Sequence, residues 1–171
     1  MKGLTTLLLL LLFLNCACNK EGNTSIDVSE ITSTDFWATP LGAEDKTDWT
    51  SDNIWSDQEK ALFVTPPDSL LKDAETAIVS VFPAYSNPTA YLLRLTIQSS
   101  KNTVCEVVFT DRNLIFKERF FLKLEKGYPT NLFKLNEATY SNNTNYRLYY
   151  GFYSSTNILY YKGHGDIQVK R

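Results

Sequence analysis

The sequence predicts an all-β protein: an antiparallel β-sandwich of about seven strands, with a loop-rich N-terminal extension and one short helix. Three observations carry this expectation. Apolar and polar residues alternate with a period of two over the second half of the chain, the alternating runs are short and bounded by turn formers, and six of the ten tyrosines crowd between Tyr146 and Tyr161. The 171 residues suffice for one domain, and 43% hydrophobic against 21% charged residues is a composition that buries a core. A net charge of −2 lacks the basic footprint of a nucleic-acid binder, so no nucleic-acid partner is expected.

The chain opens with Met1 and Lys2, runs through an unbroken apolar stretch over residues 7–14, and meets Asn15, Cys16, Ala17 and Cys18. That order is the layout of a secretory signal. The apolar stretch is shorter than the about 20 residues that cross a bilayer, so no permanent membrane helix is expected. Ala17 followed by Cys18 resembles the lipidation site of bacterial lipoproteins, and the resemblance implies loss of residues 1–17 and a lipid on Cys18. A plain secretory signal with two incidental cysteines is the alternative. Each buried methylene of an acyl chain contributes about 0.8 kcal/mol, so two or three chains on one cysteine anchor stably. The polar, mixed-charge residues after Cys18 resemble the start of small cell-envelope lipoproteins of Bacteroides-type Gram-negative bacteria. This implies a chain tethered at the envelope, at the outer membrane, facing the periplasm or the cell surface.

Residues 18–34 are expected to form a tether and residues 35–75 an acidic extension ahead of a sandwich over residues 76–171. Residues 18–75 carry thirteen acids against four lysines, whereas residues 76–171 carry six acids against twelve bases. Opposite potentials favour docking of the first stretch on the second, and two separately solvated surfaces are the alternative. All three tryptophans, Trp37, Trp49 and Trp55, lie in the acidic stretch among loop-forming residues. Ser56 and Glu59 have the spacing of a capping box, which predicts a helix of about two turns ended by Pro66 and Pro67.

The first strand is expected over residues 76–82, followed by a turn-rich interruption over residues 83–88. From Tyr91 the chain alternates, with Leu93, Leu95 and Ile97 on the face of Tyr91 and Arg94, Thr96 and Gln98 on the other. Cys105, Val107 and Phe109 repeat the pattern, and Asp111, Arg112 and Asn113 turn the chain back, so residues 104–121 form a hairpin. Tyr146, Leu148, Tyr150 and Phe152 share one strand face. A turn over residues 154–157, a return over residues 158–162, a loop at Gly163, His164 and Gly165, and a last strand with Ile167 and Val169 complete the series. The run from Thr144 to Tyr149 resembles the tyrosine corner entering the sixth strand of fibronectin type III domains. The resemblance implies an immunoglobulin- or fibronectin-III-like sandwich in which the Tyr146 hydroxyl bonds to backbone a few residues upstream.

Few residues have the pattern of a reaction centre. His164 is the one histidine, and with Asp166 it forms a candidate base and orienter in a loop, the centre of a small hydrolase. The alternative is an exposed loop whose glycines adopt positive φ. No serine elbow, phosphate loop or dinucleotide fingerprint accompanies it. One histidine and Cys105 on an apolar strand face do not make a usual zinc set, and no metal or cofactor is expected. With Cys18 lipidated and Cys16 removed, Cys105 is the sole thiol and is expected as a small buried hydrophobe. Aromatic side chains remain the candidates for binding a protein or glycan: Trp37, Trp49, Trp55, Tyr149, Tyr153 and Tyr161. The competing expectation is that the tryptophans fasten the extension to the sandwich. The favoured function is a non-enzymatic binding module, with a hydrolase or an assembly subunit recruiting neighbours by strand addition as alternatives.

Overall fold

The computed structural model describes residues 25–64, 77–154 and 158–171. The signal over residues 1–17, Cys18, the first part of the tether, Pro66 and Pro67, and residues 155–157 of the expected turn lie outside the described residues. Eight strands and one helical turn follow in the order β1 (Thr50–Ser51), α1 (Asp57–Lys60), β2 (Val79–Val81), β3 (Leu92–Ser99), β4 (Thr103–Thr110), β5 (Phe116–Leu124), β6 (Thr130–Lys134), β7 (Thr144–Tyr153) and β8 (Leu159–Val169). They form two antiparallel sheets, β1-β8-β7-β4-β5 and β2-β3-β6. The fold is all-β, as the alternation predicts.

Period two decides which residues meet between the sheets. Leu93, Leu95 and Ile97 of β3 face Cys105, Val107 and Phe109 of β4 and Tyr146, Leu148, Tyr150 and Phe152 of β7 in one core. Tyr91 falls before β3 and is half exposed, outside that alternation. β6 escapes the sequence pattern, because its five residues bury only Phe133. The β4–β5 turn is held by Asp111, whose Oδ1 accepts the backbone N–H groups of Asn113 and Ile115 at 2.9 and 3.1 Å. The expected tyrosine corner is present at the start of β7, the sixth of the seven strands from β2 on: the Tyr146 hydroxyl accepts the Ser141 N–H at 2.7 Å. Ser56 and Glu59 form the capping box, each side chain accepting the other's backbone N–H, but the helix it starts is a single turn.

Two expectations about the C-terminal strand are corrected. Gly163, His164 and Gly165 are not a loop between strands, since β8 runs unbroken from Leu159 to Val169 against β7. Nor do these two glycines adopt positive φ. They are glycines because other groups lie where a side chain would begin. A Cβ on Gly163 would clash with the Thr50 carbonyl and the Tyr150 ring, and one on Gly165 would sit within the indole of Trp49.

The extension is therefore part of the sandwich. β1 pairs with β8, Thr50 opposite His164 and Ser51 opposite Gly163. Trp49 joins the main core, and Trp55, Leu62 and Phe63 cover Val108 and Tyr149 on the outer face of the five-stranded sheet as a second core. Residues 25–34, expected as tether, also pack on the body. The Val28 carbonyl accepts from Asn145 Nδ2 at 2.6 Å, and Thr32 and Thr34 are buried. The physical reason is that the outer edge of β8 and the apolar outer face at Val108 and Tyr149 need cover, which the extension supplies together with Asn87 and Thr89.

Replacing Gly165 with Ala should force the Trp49 ring off β8, at a cost of roughly 1–3 kcal/mol, as for an overpacked core. Urea denaturation should show the lower midpoint, and tryptophan emission should shift to the red. An unchanged midpoint and spectrum would mean that the ring can move aside freely.

Candidate functional site

One carboxylate of the extension, Asp52, meets a basic side chain of the sheet, His164, whereas the pairs Arg119–Glu106 and Arg147–Asp166 lie within the sandwich, so these ion pairs do not express the charge asymmetry. Asp52 Oδ2 accepts the Trp55 indole N–H at 2.6 Å and lies 2.8 Å from His164 Nδ1. Tyr149 donates its hydroxyl to Glu59 at 2.8 Å. Lys162 Nζ stands 5.0 Å from the Trp55 ring centroid, within range of a cation–π contact. At the C-terminal end of the extension, buried Glu106 accepts the Val64 N–H at 2.9 Å and pairs with Arg119, which also donates to the Leu62 carbonyl.

Asp166 is not the orienter of His164. Its carboxylate is held by Arg147, Nε to Oδ1 and Nη2 to Oδ2, both at 2.7 Å. This two-pronged bond matches the planar geometry of both groups, and it supplies the partner that a charge 1% exposed requires. Burial pushes the Asp166 carboxyl up, and Arg147 opposes that shift. The imidazole's carboxylate is Asp52, 112 residues away in sequence. Of the two, only His164 borders a cleft of about 500 Å³, shared with Asp27, Glu30, Asp45, Thr47 and Arg147. The hydroxyl in this lining, Thr47 Oγ1, donates to Asp45 Oδ1 at 2.8 Å, so its proton is not directed at the imidazole. Among the described residues no cluster of three potential metal ligands forms.

Most of the aromatic candidates prove to be core. Trp49, Trp55, Tyr149 and Tyr153 are 6%, 3%, 0% and 3% exposed, and cannot offer a ring face to a ligand as the structure stands. Their cover comes from tertiary packing of the extension, and no local pattern separates them from surface aromatics. Tyr161 is partly buried and stacks on Tyr150, with ring centroids 6.3 Å apart. Trp37 differs, being 79% exposed.

Trp37 sits at the tip of a narrow hairpin whose stems pair at Thr34 and Pro40. Asp35 fixes the tip, because its Oδ1 accepts the backbone N–H groups of both Trp37 and Thr39 at 2.8 Å. Ala38 has φ 63°, a left-handed conformation uncommon for any residue but glycine and held here by the tight tip. Phe36 packs edge-on against Trp37 with centroids 5.2 Å apart. The tip borders a cleft of about 510 Å³ on the outer face of the three-stranded sheet, lined also by Phe82, Tyr85, Arg94, Thr96 and Tyr128. Phe82 and Tyr128 form a second aromatic pair, and the Arg94 guanidinium lies 4.5 Å from the Phe36 ring centroid. Tyr85 Oη, Thr96 Oγ1 and Thr130 Oγ1 follow one another at 3.3 and 2.8 Å.

Sequence reasoning found Trp37 but missed these neighbours. The spacing Asp35, Trp37, Thr39 was the available signal, since an aspartate two residues before a tryptophan can lock it into a turn. No family model matches the chain, and no curated protein matches it in sequence.

Asp48 makes the junction sensitive to pH. It is 4% exposed, and its Oδ1 accepts the Asp166 N–H at 3.0 Å. Burial first, then the charges of Asp166 and Asp45, push its carboxyl from 3.8 up to about 7. The folded protein thus holds this proton more tightly than the unfolded chain does. The stabilising contribution is full below about pH 4 and is lost as pH rises to about 7. Asp48→Asn keeps the Oδ1 acceptor and removes the titration. Its stability relative to the natural protein should rise across that window, as read from urea midpoints, and a difference flat in pH would contradict the assignment.

Proposed function

We propose that this protein is an envelope lipoprotein, anchored at the outer membrane by a lipid on Cys18, that acts as a non-enzymatic binding module. Its ligand site is the aromatic cleft at Trp37. The observation that carries this reading is the Asp35-fixed turn presenting a 79% exposed tryptophan beside a second aromatic pair. Leaving that much apolar ring in water is unfavourable, and fixing it in advance lowers the entropy lost when a ligand covers it. The cleft volume lies in the range of small-ligand sites.

Strand addition has less support. On the outer edge of β8, Trp49 and Asp52 donate to the carbonyls of His164 and Lys162. Asp48 and Asn87 accept the N–H groups of Asp166 and Gln168, and Thr89 bonds to Gln168 and Lys170. At the other end of the sheet, β5 carries Lys117, Arg119 and Lys123, charges of the kind that discourage pairing at an open edge.

Trp37→Ala should abolish saturable binding to polysaccharides, followed by calorimetry, while changing the unfolding free energy from urea denaturation by no more than about 0.5 kcal/mol. Binding that survives the substitution would place the site elsewhere. For the anchor, metabolic labelling with a fatty-acid analogue should mark the natural protein and leave Cys18→Ala unlabelled. Equal labelling of the two would contradict Cys18 as the attachment point.

A further inference from the structure

The cleft at Trp37 has a sign as well as a shape. Neither Asp nor Glu lines it, and Arg94 is its one charged residue. Arg94 comes from the outward-facing positions of β3, where alternation places it beside Thr96 and across from Leu132 on β6. Its guanidinium rests on the Phe36 ring, and no carboxylate among the described residues forms a salt bridge with it. Arg119, Arg147 and Arg171 each have a carboxylate partner, whereas Arg112, like Arg94, forms no salt bridge among the described residues. A guanidinium held against an aromatic face keeps its N–H edge available and has lost part of its freedom already, which suits recognition of a planar or tetrahedral anion.

The remaining chemistry of the cleft is aromatic faces and hydroxyls. The rings of Trp37 and Tyr128 are 79% and 64% exposed, broad apolar surfaces that can cover the C–H face of a pyranose. The Tyr85 and Thr96 hydroxyls in the lining, the latter backed by Thr130, offer groups that both donate and accept, matching the hydroxyl edge of the same ring. A buried apolar side chain of a protein partner would leave those hydroxyls without water, at a cost. At about 510 Å³ the cleft is concave and small, whereas protein interfaces cover about 800 Å² per partner.

We infer that the cleft takes an acidic saccharide, with a sugar face against Trp37 and the anionic group of the sugar on Arg94. This rests on the cleft being the binding site, as proposed above, and adds the class of ligand it selects.

The test compares each acidic sugar with its neutral counterpart on the purified protein, by calorimetry. One arm uses a galacturonic acid trisaccharide against its methyl ester, and the other a sulfated galactan oligosaccharide against its desulfated form, so that carboxylate and sulfate are told apart. The expected result is binding of at least one acidic form, about tenfold or more tighter than its neutral counterpart. Arg94→Gln should erase that preference, and Arg94→Lys should retain part of it. Should Arg94→Gln fail to fold, the salt series on the natural protein decides, since affinity for the acidic form should fall as sodium chloride rises and affinity for the neutral form should not. Equal binding of acidic and neutral forms would overturn the role of Arg94 and leave the binding module standing. Binding of a polyglutamate peptide with no binding of any saccharide would overturn the ligand class. No binding of any probe would overturn both the ligand class and the site.

Discussion

The close approach of the extension to β8 is the constraint on which the rest depends. Two glycines let it happen: Gly163 admits the Thr50 carbonyl and Gly165 admits the Trp49 ring. With those contacts made, the outer edge of β8 is satisfied by hydrogen bonds from within the chain, and its backbone groups are spared the cost of burial without partners. Asn87 extends the same seam. Its side chain donates to the carbonyls of Thr32 and Asp166 and accepts from the Gln168 N–H, which ties the extension, the loop before β3 and β8 together.

The seam is polar and buried at once. Asp166 is paired with Arg147, His164 lies against Asp52, and Glu106 is matched by Arg119. The first and third pairs lie within the sandwich, and the extension is registered on them through Asp48, which accepts the Asp166 N–H, through the Val64 N–H, which Glu106 accepts, and through Asp52 against His164. Asp48 forms no salt bridge among the described residues, and burial, then the charges of Asp166 and Asp45, raise its carboxyl. The same seam fixes the hairpin bearing Trp37, because Thr34 at its base bonds to Ala84 and to Asn87. The cleft is thus built jointly by the extension, which supplies Phe36 and Trp37, and by the three-stranded sheet, which supplies Arg94 and Thr96.

How much of this was legible in the sequence follows from how local each feature is. β3 shows clean alternation because one face of it lines the core, β4 and β7 alternate only in part because Val108 and Tyr149 are buried on their other face, and the capping box and tyrosine corner are bonds between residues three and five apart. β8 was misread because glycine is most often a turn residue. Its role here, clearing space for groups more than 100 positions earlier in the chain, leaves no local trace. β1 and β6 are too short for a period to show. Trp37, Trp49 and Trp55 look alike in the sequence. Only tertiary packing buries two of them and leaves the third in water. Arg94 was legible as outward-facing on β3, but nothing in the sequence joins it to Phe36 or Tyr128.

Amide hydrogen exchange at β8 tests the account most directly, because the N–H groups of Asp166 and Gln168 depend on side chains of Asp48 and Asn87 for their bonds. With the extension docked as described, these two amides exchange as slowly as those of β7 in the centre of the sheet, through global unfolding alone. Exchange at the rate of an open edge strand, with β7 still protected, would contradict the claim that the extension closes the sandwich.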